Sequence, residues 1–200
     1  MIDISLTDLR AGLSASLAVD RFVDDVVRHA PFDSVARLLE IAREVAFSLS
    51  ASEISQAIAQ HPRIGEQPTG AGVAQDFSRQ EQAGFTDAIF GDALSGHREA
   101  DLTAAIAAGN SAYEERFGRV FIIRAAGRSR AEILEELERR LELPNSTELE
   151  IVGEQLLQIA VLRIEKLWGD EVADVAAGGR DVAAGASHAD SDSQWPESAL

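Results

Sequence analysis

The sequence predicts an all-α protein: a single compact domain of about eight helices, followed by a disordered acidic C-terminal tail. Apolar residues recur at three- and four-residue spacing through most of the chain before Gly169. Four places where Ser or Thr is followed three residues later by Glu are interpreted as capping boxes that open helices. Residues with high helix propensity (Ala, Leu, Glu and Arg) are abundant. The 200 residues suffice for one hydrophobic core of ordinary size.

Two helices are predicted before residue 50 by the spacing of apolar residues. The first covers 22–27 and ends before Pro31. The second carries apolar residues across 35–46, and either Asp33 or Ser34 is placed to cap its first turn.

A third helix is predicted to open with the capping box Ser50–Glu53. It must stop near Gln60, because Pro62 disfavours helical geometry at the residue before it. Residues 65–77 contain Pro68, Gly70 and Gly72 and are predicted to form a loop.

The remaining helices are predicted over 78–90, 101–117, 129–141 and 147–168. Three of them begin with capping boxes, at Ser78–Glu81, Ser129–Glu132 and Thr147–Glu150. Gly118 breaks the second of the four. Phe121–Ile123 is too short to classify by period and is interpreted as an extended buried segment. The domain is therefore assigned to 1–170, and residues 171–200, rich in Gly, Ala, Ser and Asp, to the tail.

Composition excludes several classes of function. The net charge of −16 opposes binding to nucleic acid and to anionic membranes. No apolar run reaches the ~18 residues of a membrane span, and the N-terminus lacks a signal peptide, so a cytoplasmic location is expected. The chain has no cysteine, and no two of its four histidines lie at the spacing of a helical metal site. We therefore expect no metal.

Two groups of polar residues have both a structural and a functional interpretation. His61 follows the last turn of a short helix, where it could cap free carbonyl groups or act as a protonatable group in a site. Ser78 and Glu81 could simply cap a helix, or they could bind a polar ligand together with Gln82.

Arg163 is the least ordinary residue of the sequence. Its helix face also holds Val152, Leu156, Ile159, Ala160 and Leu167. An arginine within an apolar stripe is costly unless it meets an anion. That anion is either a core carboxylate or a bound ligand, and the sequence alone leaves both open.

These motifs together resemble the 2-oxo-4-hydroxy-4-carboxy-5-ureidoimidazoline (OHCU) decarboxylase family. The resemblance rests on His61-Pro-Arg-Ile-Gly65, on Ser78-x-x-Glu81-Gln82 and on the run from Asn110 through Tyr113 and Arg116-Phe-Gly to Ile122. Arg130-x-Glu-Ile-Leu, Arg140-Leu141 and Gln158-Ile159 with Arg163 continue it. It extends over roughly residues 5–168, in the order and at the spacing of the family.

The resemblance implies an all-α, cofactor-free and usually dimeric enzyme of urate breakdown, which removes CO2 from OHCU and yields (S)-allantoin. It implies that His61 and Glu81 are catalytic. It also implies a set of substrate-binding residues: Pro62, Ser78, Gln82, Phe121, Ile122, Ile123 and Arg163. Two alternatives stay open, namely a non-catalytic acidic helical adaptor and a decarboxylase of a related ureido acid.

Overall fold

The computed structural model describes residues 1–66, 73–83 and 95–169; for 74, 75, 81–83 and 95–99 the description is limited to the backbone. These residues form eight α-helices and no strand, which confirms the all-α prediction. The predicted tail, and Phe85, Ile89 and Phe90 of the helix predicted over 78–90, lie outside the described residues. The helices are α1 (Leu6–Ser16), α2 (Asp20–Val27), α3 (Val35–Phe47), α4 (Ala51–Ile58), α5 (Val73–Ala83), α6 (Ser95–Phe117), α7 (Arg130–Leu141) and α8 (Asn145–Trp168).

Helix ends follow the predicted capping signals at several places. Ser34 caps α3 by accepting a hydrogen bond from the Arg37 main-chain nitrogen at 3.2 Å. The capping boxes of α4 and α7 are both complete, with each serine and glutamate satisfying the other's backbone group. Gly118, with φ +67°, takes the left-handed conformation just after α6, where glycine costs least.

Two predicted capping boxes are wrong. Ser78 lies inside α5, which begins at Val73, so the last five residues of the predicted loop 65–77 are helical. Nothing from 73 to 77 breaks a helix, and the pattern at Ser78 therefore falls within one. Helix α8 begins at Asn145 rather than beside Thr147, because Pro144 has φ −62° and occupies the N-cap, where its missing N–H costs nothing.

The start of α6 also differs from its prediction. The helix begins at Ser95, six residues before Asp101, because its first turns carry polar residues that give no apolar periodicity. None of the helices within the described ranges is both long enough and apolar enough to cross a bilayer.

Two apolar clusters build the core. In the larger one, α1, α2, α3 and α4 surround the apolar face of α8, including Val152, Leu156 and Ile164, which are fully buried. The smaller one lies between α6 and α7 and contains Tyr113, Leu137 and their neighbours. The division matters for the site, because the chain between α6 and α7 contributes to both clusters.

The Phe121–Ile123 segment connects these clusters. Ile122 belongs to the larger cluster, whereas Phe121 and Ile123 belong to the smaller one, and all three are at most 6% exposed. Successive side chains of an extended backbone point to opposite sides, so this alternation is what an extended segment produces. The segment is buried as predicted, and it forms no strand in the described structure.

Candidate active site

One pocket brings together most of the residues that the sequence singled out. It lies between the chain after α4, helix α5, the segment after Phe121 and helix α8, and it encloses about 500 Å³ including its open mouth. Its lining comprises His61, Pro62, Ile64, Ser78, Phe121, Ile122, Ile123, Arg124, Ala125, Ala126, Ile159, Leu162 and Arg163.

Seven of the nine predicted site residues line this pocket: His61, Pro62, Ser78, Phe121, Ile122, Ile123 and Arg163. The side chains of the other two, Glu81 and Gln82, lie outside the description, although their backbone belongs to α5. Arg124 also lines the pocket and was not singled out by its sequence context. The only available signal was an arginine directly after a buried apolar run.

His61 has a defined ring orientation. Its main-chain nitrogen bonds the Ile58 carbonyl at 2.9 Å, and its Nδ1 lies 2.9 Å from the Ala57 carbonyl oxygen of the last turn of α4. A carbonyl oxygen only accepts, so this contact assigns the proton to Nδ1 and leaves Nε2 as the nitrogen that gains or loses a proton. The capping interpretation and the functional one are therefore compatible, because the cap fixes the ring against the pocket.

The chain that follows His61 is tied to α6. Arg63 donates from Nε to Glu114 Oε1 at 2.6 Å and makes a second contact from Nη2 to the other carboxylate oxygen. This two-pronged pairing raises the pKa of Arg63 and fixes its direction. Asn110, only 4% exposed, donates to the Ile64 carbonyl oxygen at 2.9 Å. Both contacts hold the pocket edge on which His61 and Pro62 lie.

The opposite wall is held by side chains instead of a strand partner. Within the described ranges, residues 121–124 make no backbone–backbone hydrogen bond. Arg140 donates to the Ile122 carbonyl oxygen at 2.8 Å, and the Arg124 main-chain nitrogen donates to Gln155 Oε1 at 3.0 Å. Buried backbone groups need such partners, and here α7 and α8 supply them.

Arg140 is itself held by a buried carboxylate. Its Nε lies 2.9 and 3.0 Å from the two Glu148 oxygens, its Nη2 contacts the same carboxylate, and both residues are fully buried. The Tyr113 hydroxyl also donates to Glu148. Burial, followed by this hydrogen bond, raises the pKa of Tyr113 to about 12, so the phenol stays neutral. Sequence reasoning did not find this network.

Arg163 lies in the apolar stripe of α8, as predicted, and is 4% exposed. Its Nη2 is 3.4 Å from the Ser78 hydroxyl, and its Nη1 is 3.5 Å from the carbonyl oxygens of Ala15 and Ser16. The guanidinium also stands 5.7 Å above the Phe77 ring. These polar contacts are at the long end of the hydrogen-bonding range. Among the residues with described side chains, the fully buried carboxylate is Glu148, and it pairs with Arg140.

No group of three or more histidine, aspartate or glutamate side chains in the described part of the chain is placed to hold a metal ion. The pocket instead offers an imidazole, a hydroxyl, guanidinium groups and backbone groups of an extended segment. Such an arrangement can bind a planar polar ligand and exchange a proton with it.

The fold and this pocket define an all-helical domain with one small-molecule site among its described residues. The chain belongs to the OHCU decarboxylase family, a family of carboxy-lyases, whose sequence profile matches residues 4–165. This match confirms the resemblance that the motifs indicated.

Three similar proteins agree with this assignment. The uric acid degradation bifunctional protein TTL of Arabidopsis thaliana is 32% identical over 131 residues, which are 65% of this chain and 38% of that protein. This chain thus matches well under half of that relative. A crystal structure of an OHCU decarboxylase in the presence of (S)-allantoin has a TM-score of 0.63 and 26% identity, covering 78% of this chain and 96% of that one. A crystal structure of (S)-allantoin synthase shares the fold, with a TM-score of 0.54, 15% identity and coverage of 82% and 50%.

Proposed function

We propose that this chain is a carboxy-lyase that converts OHCU to (S)-allantoin in urate degradation without a cofactor. The observation that carries the proposal is the convergence of His61, Ser78 and Arg163 on one pocket walled by Phe121–Ile123, in a chain that the family profile matches over 4–165. The similar OHCU decarboxylase, whose crystal structure was determined in the presence of (S)-allantoin, supports the choice of product.

The chemistry needs no added electron sink. OHCU carries a carboxylate and a hydroxyl on one ring carbon, beside a ring C=N. When the C–CO2 bond breaks, its electron pair passes into the ring, and the C=N accepts it. The ring nitrogen of the former C=N takes up one proton from the medium. The ureido-bearing carbon then takes up a proton on one face, while the hydroxyl loses its proton and becomes the ring carbonyl. One proton is consumed for each carboxylate lost as CO2.

Proton transfer is assigned to His61. Its Nδ1 is engaged by the Ala57 carbonyl oxygen, which leaves Nε2 to exchange a proton with the substrate. Glu81 is proposed as the second catalytic group, which either holds the His61 imidazole in place or stabilises its protonated form. Ser78, Glu81 and Gln82 are spaced by three and four residues on α5, so they share one face of that helix.

Substrate orientation is assigned to the remaining lining residues. Arg163 holds an anionic or carbonyl group, and Ser78 and Gln82 bind the urea-like edge. Pro62 packs beside the ring, and Phe121, Ile122 and Ile123 present main-chain groups to it. Firm binding of the departing carboxylate would oppose its loss, so we place Arg163 against the ring.

Three further features are proposed with this function. The lining residues that the structure describes lie between 61 and 163, and we propose that a chain ending at Asp170 keeps its fold and its activity. The protein is a homodimer, as the family resemblance implies, which light scattering on the purified protein tests. It acts in the cytoplasm, which cell fractionation tests.

The decisive experiment supplies freshly generated OHCU and follows optically active allantoin by circular dichroism. Spontaneous decay yields racemic allantoin, so a rising signal of the (S) enantiomer supports the proposal. The matched control is the same reaction with the His61→Asn protein. Allantoin that forms at the uncatalysed rate and stays racemic would refute the proposal and favour the adaptor. Release of CO2 from a different ureido acid would favour the related decarboxylase.

A further inference from the structure

Arg124 is a second guanidinium of the pocket, and the proposed mechanism does not use it. It lines the same cavity as His61 and Arg163. It directly follows the buried Phe121–Ile123 wall, and its own main-chain nitrogen is fixed by Gln155 at 3.0 Å. Gln155 is only 8% exposed, so the backbone at Arg124 has a rigid anchor on α8.

The charge of Arg124 is not neutralised within the described structure. Its Nε is buried and makes no hydrogen bond to any described residue, and no described carboxylate forms an ion pair with it. Two arginines that support the walls of the pocket do have carboxylate partners: Arg140 pairs with Glu148, and Arg63 pairs with Glu114. Desolvating a guanidinium nitrogen without a partner is unfavourable, and the chain has 34 acidic residues from which one could have been supplied.

The two pocket arginines differ in their surroundings. Arg163 is 4% exposed and lies against Ser78 and two carbonyl oxygens. Arg124 is only partly buried. A partly solvated guanidinium can bind the substrate carboxylate and lose little when that carboxylate becomes neutral CO2. A deeply buried guanidinium would lose a strong contact with the carboxylate in the transition state, which would oppose the reaction.

We propose that Arg124 binds the carboxylate of the substrate in the ground state and thereby makes the pocket selective for an anionic ligand. This inference rests on the proposed function and deepens it. Arg163 holds the ring, which substrate and product share, while Arg124 binds the group that only the substrate has. Because the contact is weakened as CO2 departs, it lowers KM without raising kcat.

The test compares the anionic substrate with the neutral product in one assay. For Arg124→Gln, we expect KM for OHCU to rise about tenfold, the scale of a charge-assisted hydrogen bond open to solvent. The value of kcat should stay the same or increase. The inhibition constant of (S)-allantoin, which lacks the carboxylate, should change less than about twofold.

Two variants make the comparison specific. Arg128→Gln removes the same charge four residues further along the chain, outside the pocket lining, and should leave both constants near wild type. Arg124→Lys keeps the charge without the planar two-pronged donor, so KM should lie between those of the wild type and Arg124→Gln. Melting temperatures establish that each variant is folded.

An unchanged KM for OHCU in folded Arg124→Gln would overturn the inference. So would a parallel rise of KM and of the allantoin inhibition constant, because that result indicates general damage to the pocket. A wild-type protein that does not decarboxylate OHCU would instead refute the proposed function itself, and the two failures are thus distinguishable.

Discussion

Arg140 donates a hydrogen bond of 2.8 Å to the main-chain oxygen of Ile122, which lies 18 residues earlier in the sequence. The donor belongs to α7 and is fully buried, while the acceptor forms part of the pocket wall. Glu148 on α8 holds the same guanidinium through both carboxylate oxygens. The position of the pocket wall is therefore set by an ion pair that does not itself line the pocket.

Replacing Arg140 with methionine should destabilise the protein by about 3–5 kcal/mol, because it leaves the buried Glu148 carboxylate without its cation. Chemical denaturation measures this free energy of unfolding. The neighbouring Arg139→Met is the control, since its side chain is 52% exposed and pairs with Glu136 at the surface, so about 0.5 kcal/mol or less is expected. A loss below 1 kcal/mol in Arg140→Met would contradict the structural role given to the pair.

His61→Asn should lower kcat by at least ~10²-fold, the usual scale of general acid–base catalysis. Asparagine can still donate a hydrogen bond toward the Ala57 carbonyl, so the end of α4 should be largely preserved. Rates from the circular dichroism assay and melting temperatures separate the two effects. A protein that melts early yet turns over normally would show that His61 is only a cap.

Glu81→Gln removes one negative charge while keeping the size of the side chain and its compatibility with α5. We expect near-native stability together with a large loss of kcat, because the proposed role of Glu81 depends on its charge. Asp76→Asn serves as the control on the same helix, where the carboxylate is 56% exposed and pairs with Arg79. Normal turnover by Glu81→Gln would remove Glu81 from the catalytic set.

Arg163→Met tests whether this arginine serves the ligand or the core. Because we place its guanidinium against the substrate, we expect only a modest loss of stability without ligand. The variant should show a higher KM or a lower kcat, and (S)-allantoin should no longer raise its melting temperature. Arg163→Lys should rescue poorly, since lysine lacks the planar fork.

A different outcome for Arg163→Met would show that this arginine serves the core and not the ligand. A variant that loses 3–5 kcal/mol without ligand, while whatever remains folded still binds (S)-allantoin normally, would assign this arginine to the core.

Glu53 should make stability depend on acid pH. Its hydrogen bonds with Arg21, then with the Ser50 side chain and main chain, lower its pKa from 4.5 to about 2. A lowered pKa in the folded state means that the carboxylate stabilises the protein above about pH 4.5 and that this stabilisation is lost as the pH falls toward 2. Since the pair is open to solvent, the contribution is on the order of 1 kcal/mol.

The measurement compares denaturation of wild type and Glu53→Gln at several pH values. The two should differ most near neutral pH and converge by about pH 2, where Glu53 in the wild type becomes protonated. Glu40→Gln, at a side chain that is 59% exposed, provides the surface control and should follow the wild type throughout. A constant difference across the range would mean that Glu53 acts through something other than its charge.

Local signals were sufficient at two of the four helix starts predicted from capping boxes. Ser50 and Ser129 open helices with complete capping boxes, because both partners of each box are three residues apart. The place of Arg163 in the apolar stripe followed from helical period alone. Ser78 shows the limit of such reasoning, since the same spacing also occurs inside a helix and cannot mark a start by itself.

Contacts between separate elements could not be predicted in this way. Arg140 and Glu148 are eight residues apart on two helices, and their pairing depends on how α7 and α8 pack. The sequence gives no angle for that packing. The role of Arg124 in the pocket was not predicted for a related reason. The extended segment Phe121–Ile123 is too short to show a periodic pattern, so the direction of the Arg124 side chain follows only from how this segment packs against the two apolar clusters.

The alternation of Phe121, Ile122 and Ile123 between the two apolar clusters bears on how the protein opens. Each cluster can loosen separately in thermal fluctuations, because local opening requires less free energy than global unfolding. A ligand in the pocket would touch the segment that both clusters share, together with the chain that follows α4. A bound ligand would therefore stabilise both clusters at once. Local opening of either cluster would then require the ligand to dissociate.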